Sequence, residues 1–208
     1  MDTLLISSPS LFWTHTLSFI SYFAIMSVTP GPNNVLVTAS GAAFGFKRTL
    51  PHMLGIGWGH ALQTVAIALG LGQLFLHAPW LHVALKSLGT AYLLYLAWRL
   101  WHSAVIATPE VRQPIRFVEA ALFQFVNPKA WVMALNTVTL FLPSGWPWWL
   151  ACLYLTVVLV CVNFPCVALW AVCGARLQGH LQKPVGRRLF FGSMAIGLII
   201  TGGWMICQ

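Results

Sequence analysis

Acidic side chains are nearly missing from this chain. Asp and Glu number 3 in 208 residues, Lys and Arg add 11, and only 7% of positions carry charge, against about 25% in soluble domains. That scarcity excludes a water-soluble globule, because 59% of the residues are hydrophobic and too few polar side chains remain to cover them. Catalytic motifs are missing as well. No G-x-x-x-x-G-K-[ST] phosphate loop and no H-E-x-x-H pair occurs, so an ATP engine or a zinc protease is not expected, and the chain reads as a non-enzyme without cofactor or metal. Five cysteines, Cys152, Cys161, Cys166, Cys173 and Cys207, all lie in apolar stretches with no C-x-x-C spacing. They read as small buried hydrophobes. The first ten residues contain Asp2 but no Lys or Arg; without the basic start of a cleaved signal, the first apolar segment is expected to be retained.

The net charge of +8 raises nucleic acid as a partner, but the basic residues fall in small groups between apolar runs. Orientation signals of membrane proteins are distributed in this way, whereas nucleic-acid surfaces interleave basic and stacking aromatic residues, so no nucleic-acid partner is expected.

Three runs, Thr3 to Phe46, Leu50 to Leu85 and Ala130 to Ala175, contain no Asp, Glu, Lys or Arg. Each exceeds the roughly 20 residues of one span. Turn residues show where to divide them, the clearest being Pro143-Ser144-Gly145-Trp146-Pro147 with Trp148 and Trp149 beside it. The expected spans are Leu11 to Ala43, Thr49 to Leu76, Leu81 to Trp101, Phe117 to Leu142, Trp146 to Cys173 and Leu189 to Cys207. Lys47 and Arg48, then Arg99, Arg112 and Arg116, then Arg176, Lys183, Arg187 and Arg188 gather at the first, third and fifth connections. The excess of positive charge puts these connections in the cytoplasm and both termini outside.

The fold class expected is therefore an all-α integral membrane protein of six transmembrane helices, forming a single transporter domain over 1–208. Its halves, about 11–101 and about 117–207 with a cytoplasmic connection of about 102–116, align by a shift that carries Pro30 onto Pro128 and span two onto span five. With three spans each, they would be inverted repeats.

Punctuation falls at matching places in spans one and four: Thr29, Pro30, Gly31, Pro32, Asn33 and Asn34 in the first, Asn127, Pro128 and Lys129 in the second. Proline removes an amide donor and clashes with the preceding turn, at about 3 kcal/mol in a helix interior. At about 1.5 Å per residue both breaks lie about 15 to 20 Å from the cytoplasmic ends, near the middle of a hydrocarbon core about 30 Å thick. Asn127 before Pro128 has the order of an N-cap and a first helical residue, and Pro32 can open a half-helix likewise. Such ends turn free amides and partial positive charge inward, suiting an anionic group such as an amino-acid carboxylate. Lys129 adds a full charge.

Other residues carry two readings each. Glu119, an acid inside a span, marks either an ion-coupling path or a surface pair with Arg116. His60 lies deep in span two, as a coupling group or a satisfied core histidine. Asn163 beside Pro165 repeats the pairing of an amide with a helix breaker and either lines a cavity or packs. Gly55, Gly57 and Gly59 form a small-residue stripe for close helix packing, and Trp58 and Trp131 lie deep enough to offer a ring to an ammonium group.

These residues together resemble the LysE/RhtB family of amino-acid exporters. Thr29 to Asn34, Gly41 to Phe46 before Lys47-Arg48, and Leu54-Gly55 with His60 look like the opening of that family. Ala121 to Trp131 (ALFQFVNPKAW), Met133-Ala134-Leu135 and Asn163 to Gly174 (NFPCVALWAVCG) look like its second half. The resemblance implies a bacterial inner-membrane secondary transporter, driven by the proton motive force, that exports amino acids or close derivatives. Members are associated with lysine or arginine, homoserine and threonine, leucine, and cysteine or O-acetylserine. A neutral amino acid is favoured here, since no carboxylate lies near the breaks to receive a cationic side chain. A membrane thiol/disulfide electron relay is an alternative, but such proteins place cysteines beside the prolines of spans one and four, and none stands there. A channel or structural membrane subunit is another. Membrane lipid is an expected partner, and a homo-oligomer is compatible with the sequence.

Overall fold

The computed structural model describes residues 9–71, 79–105, 113–179, 181 and 183–207. Among them the regular elements are α1 (Pro9–Val28), α2 (Pro32–Phe44), α3 (Phe46–Ala66) with a π-helical turn at Ile67–Leu71, α4 (Pro79–Val105), α5 (Phe117–Val126), α6 (Pro128–Phe141), α7 (Trp148–Arg176) and α8 (Pro184–Cys207). The class is all-α. Among the described residues four segments are long and apolar enough to cross a membrane: Pro9–Val28, Phe46–Leu71, Trp148–Arg176 and Pro184–Gly203. The expected fourth span is split into α5 and α6, and the expected first span into α1 and α2.

Helix ends extend past the hydropathy boundaries because hydrogen bonding does not stop where the apolar run stops. α8 begins at Pro184, five residues before Leu189, with Arg187 N bonded to Lys183 O at 3.0 Å. α3 begins at Phe46 rather than Thr49, since Gly45 alone turns the chain out of α2; its φ of 80° is a conformation that glycine adopts freely. The end of the second expected span, residues 72–76, lies outside the described residues. Pro165 does not interrupt α7.

The outer surface is apolar. Leu17, Ile25, Leu62, Leu122, Leu140, Leu153, Leu169 and Ile200 are all exposed on helices, far beyond what a water-soluble monomer presents. Cys161 and Cys173 face outward among them, whereas Cys152 and Cys166 are buried, so only part of the cysteine set fills the interior.

Three helix pairings dominate: α4 with α8, α2 with α7 and α3 with α5. The last two depend on glycine. A Cβ placed on Gly41 would lie 2.3 Å from Ala171 O, and one on Gly174 would lie 2.1 Å from Thr38 O. On the other side, a Cβ on Gly55 would meet Phe117 O at 2.3 Å and one on Gly59 would meet Ala121 O at 2.5 Å. The expected close-packing stripe is thus real for Gly55 and Gly59, while Gly57 faces Asn163. Larger side chains fill the remaining interior, with Phe19 and Phe23 of α1 buried against Phe141, Leu155 and Leu159.

Candidate functional site

The first break is a three-residue non-helical segment, Thr29–Gly31, between α1 and α2, a bend at Thr29 that ends in extended backbone at Gly31. A helix end leaves carbonyls without partners, and at membrane depth each must find one. Here the donors can be named. Met26 O accepts from Thr29 Oγ1 at 2.8 Å. Asn34 Nδ2 reaches back from the first turn of α2 to Ser27 O at 2.9 Å and Thr29 O at 2.8 Å. Val28 O accepts from the indole of Trp170 at 3.1 Å. The Lys129 ammonium donates to Thr29 O at 2.7 Å, Thr29 Oγ1 at 2.9 Å and Pro30 O at 3.4 Å.

The second break is a single residue, Asn127, and it is built as the Asn-Pro order predicts. Asn127 is the N-cap of α6, its Oδ1 accepting from Lys129 N at 3.1 Å, with Pro128 opening the helix. At the end of α5, Gln124 O accepts from Gln63 Nε2 at 3.1 Å and Phe125 O from the indole of Trp131 at 2.8 Å. Each broken end thus has one indole and one side-chain amide among its donors. Pro32 opens α2 as Pro128 opens α6. Pro30, aligned with Pro128 by spacing, lies instead in the non-helical segment before α2.

The two breaks meet. Asn33 and Gln124 exchange hydrogen bonds between α2 and α5, Asn33 Nδ2 to Gln124 Oε1 at 2.9 Å and Gln124 Nε2 to Asn33 Oδ1 at 3.2 Å. Between the breaks lies a cavity of about 30 Å³, room for roughly two waters at about 10–15 Å³ each. Gly31, Asn33 and Asn34 line it from the first break, Gln124, Asn127 and Lys129 from the second. His60 of α3 and Asn163 of α7 complete its polar wall. Lys129 is the one charged residue in the lining. Two lining atoms, His60 Nε2 and Asn163 Oδ1, have no hydrogen-bond partner although their residues are 3% and 5% exposed. Such buried groups are costly unless something else bonds them.

Of the residues singled out in the sequence, Gly31, Asn33, Asn34, Asn127, Lys129, Asn163 and His60 come together at the cavity. Thr29, Pro30, Pro32 and Pro128 shape the breaks without lining it. Trp58 does not contribute, being 51% exposed on the outer face of α3. Asn163 Nδ2 donates to Ser27 Oγ at 3.3 Å, so that amide ties α7 to the end of α1. Glu119 stands apart from the cavity. It accepts from Tyr92 OH at 2.8 Å, and Arg116 donates to Gln113, which replaces the expected surface pair by a tie between α4 and α5. Tyr92→Phe is expected to destabilise by about 1–3 kcal/mol, leaving a partly buried carboxyl oxygen without its donor. Thermal unfolding of the purified protein measures it, and an unchanged midpoint would remove the tie.

Gln124, Gln63, Trp170 and Ser27 were not among the residues that sequence reasoning selected. The signal available was an isolated amide inside an apolar run, present at both Gln63 and Gln124, because an amide placed there must find partners.

Comparison with known proteins places the chain in a family. The chain is 31% identical over 205 residues to an uncharacterized membrane protein of Pseudomonas aeruginosa (PA4757), covering 92% of this chain and 91% of that one. It is 30% identical over 183 residues to the cysteine/O-acetylserine efflux protein of Escherichia coli K12, covering 86% and 88%, and equally so to that of Shigella flexneri. No solved structure matches the chain. Residues 24–207, which include both breaks and every cavity-lining residue, match the LysE type translocator family, and this multi-pass membrane protein belongs to it.

Proposed function

We propose that the protein is a secondary exporter that moves neutral amino acids or close derivatives out of the bacterial cytoplasm across the inner membrane, driven by the proton motive force. The observation carrying this reading is a cavity at which two broken helices converge, lined by side-chain amides and His60 on one part and by Met26, Ile56, Met133 and Val167 on another, with Lys129 as its one charge. The first-turn amides of Asn33 and Asn34 precede the first hydrogen bond of α2, Val35 N to Gly31 O at 3.0 Å, and Ala130 N precedes that of α6, Trp131 N to Asn127 O at 3.2 Å. A substrate carboxylate lies against these ends, at Asn33, Asn34 and Asn127, near Lys129. No acid lines the cavity, which disfavours a cationic side chain. Cysteine and O-acetylserine, named in the relatives' activity, are the first compounds to assay.

The exporter works as two inverted three-span repeats within one domain over 1–208, both termini outside. Contact directions support this arrangement. α2 runs parallel to α7, with Gly41 against Ala171 and Gly45 beside Gln178, and α3 runs parallel to α5, with Gly55 against Phe117 and Gly59 against Ala121. α4 is antiparallel to α8, with Gly202 beside Thr90 and Gly192 beside Trp101. Six alternating passes give this pattern, and exchanging the halves carries the pairing of spans one and five onto that of spans four and two, and the pairing of spans three and six onto itself. A cavity holding roughly two waters must open for an amino acid, by one half rocking against the other. Glu119 and His60 are the coupling candidates.

Efflux from cells or proteoliposomes tests the site. Asn34→Ala and Lys129→Ala, inserted at normal levels, are each expected to cut amino-acid export at least tenfold. Wild-type export by both variants would place the path elsewhere.

A further inference from the structure

The Lys129 ammonium does not point an unengaged charge into the cavity. Its three hydrogen bonds end on Thr29 O, Thr29 Oγ1 and Pro30 O, at the C-terminal end of α1. All three acceptors are uncharged, and the negative end of the α1 dipole lies behind them. Gly31 is shaped to this contact. Its backbone is extended, φ −175°, a conformation open to any residue. A Cβ there would nonetheless lie 2.9 Å from Lys129 Cδ and 3.2 Å from Nζ. The lysine stem thus passes directly over Gly31. Thr29 and Pro30 are exposed, and Gly31 and Lys129 line the cavity, so the contact borders it.

We propose that these oxygens form an ammonium seat, filled in this state by Lys129, and that a zwitterionic substrate enters by exchange: its ammonium takes the Thr29 and Pro30 oxygens while its carboxylate receives the displaced Lys129 ammonium. This rests on the exporter reading and adds the means of recognition. A cation removed from three acceptors in a low-dielectric site loses strong hydrogen bonds. Acceptors stripped of their cation lose as much. Only a molecule bearing both charges repairs both sides of the contact it breaks. An amine would compete with Lys129 for the seat and leave Lys129 unpaired; a carboxylic acid would draw Lys129 away, leaving Pro30 O without its donor and Thr29 O with Asn34 Nδ2 alone. Discrimination against both follows from the penalty of unsatisfied partners rather than from shape. The exchange also transfers a tie. In this state Lys129 links α6 directly to the end of α1, whereas with substrate in place the link runs through the cargo.

The test uses wild-type protein in proteoliposomes, radiolabelled L-cysteine under reducing conditions, and two competitors that each lack one charge, cysteamine and 3-mercaptopropionate. Both are expected to inhibit at least tenfold more weakly than unlabelled L-cysteine. Lys129→Gln supplies a signature that damage to the fold would not produce. The apparent affinity for L-cysteine is expected to fall at least tenfold, while cysteamine, no longer competing with a tethered ammonium, inhibits more strongly than it does in wild type. If either single-charge competitor matches L-cysteine in wild type, or if cysteamine loses potency in Lys129→Gln alongside L-cysteine, the exchange is wrong and the exporter reading stands. Failure of wild type to move L-cysteine or any other amino acid saturably would remove the exporter reading and the exchange with it. The wild-type competition decides the matter alone should Lys129→Gln not insert.

Discussion

Alanine at Gly41, Gly55, Gly59 or Gly174 is expected to destabilise the protein severely, and alanine at Gly197 or Gly203 is expected to leave it unchanged or slightly firmer. The two groups differ only in what a methyl group would meet. At the first four positions the nearest atom is a backbone carbonyl oxygen or Cα, 2.1 to 2.5 Å from the added carbon, and at Gly197 and Gly203 nothing lies within 4 Å. A side chain in the way could turn aside; a backbone carbonyl belongs to a hydrogen-bonded helix and moves only if the helix moves. Overpacking of this kind costs about 1–3 kcal/mol and occasionally more. Replacing glycine by alanine within a helix returns about 0.8–1.0 kcal/mol of propensity, so the expected sign reverses between the groups. Thermal unfolding of detergent-purified variants would read the difference directly. Equal midpoints across all six would mean that α2 does not lie on α7, nor α3 on α5, at this distance.

Those contacts also bear on how the protein moves. α2 closes on α7 and α5 on α3 through backbone atoms beside glycine, whereas α1 meets α6 through side chains, Phe19 stacked on Phe141 with ring centroids 4.9 Å apart. Aromatic side chains can separate and re-form contacts by changing rotamers. Glycine-mediated helix pairs are better suited to sliding or parting as rigid units. A rocking motion around the cavity therefore has a different kind of closure on each side.

Much of this was legible in the sequence because proline and glycine act locally. Pro32 and Pro128 start helices for reasons contained in their own rings, and Asn127 caps α6 with an atom two residues away from its donor. The apolar runs showed the membrane class for a similar reason, since a span needs only length and hydropathy. What escaped was relational. Nothing in the run Phe117–Val126 says that Gln124 faces Asn33, because that pairing spans 91 positions and depends on how α5 lies against α3. Lys129 was legible as a charge near the break but not as a cation seated on the end of α1, which required the two breaks to be brought together in space. For Glu119 the sequence leaves open a coupling role or a pair with Arg116 one turn away, and neither reading points to its hydroxyl donor, Tyr92 of α4.

The second large effect is expected at that long-range pair. Asn33→Ala and Gln124→Leu should each lower transport at least tenfold, and the double variant should be little worse than either alone. Gln124 is fully buried, and its side chain serves three contacts: both bonds with Asn33 and a donation to Ala120 O at 2.9 Å. Its carbonyl holds Gln63 as well. Removing one amide of a reciprocal pair strands a donor and an acceptor on the other, at about 1–3 kcal/mol for a buried unsatisfied group, while removing both abolishes the penalty together with the bonds. Coupling in a double-mutant cycle should therefore be on the order of 1–3 kcal/mol with a sign that makes the double less harmful than additive. Gln124→Glu sharpens the test. It preserves size and shape, yet it cannot donate when ionised and would set a charge against Asn33 Oδ1 and Ala120 O. It should be at least as damaging as leucine, although a carboxylate is closer to glutamine by any measure of similarity. Purely additive losses, or a Gln124→Glu protein that transports normally, would mean that the two half-helices are not joined by this pair and that the cavity is held together by other contacts.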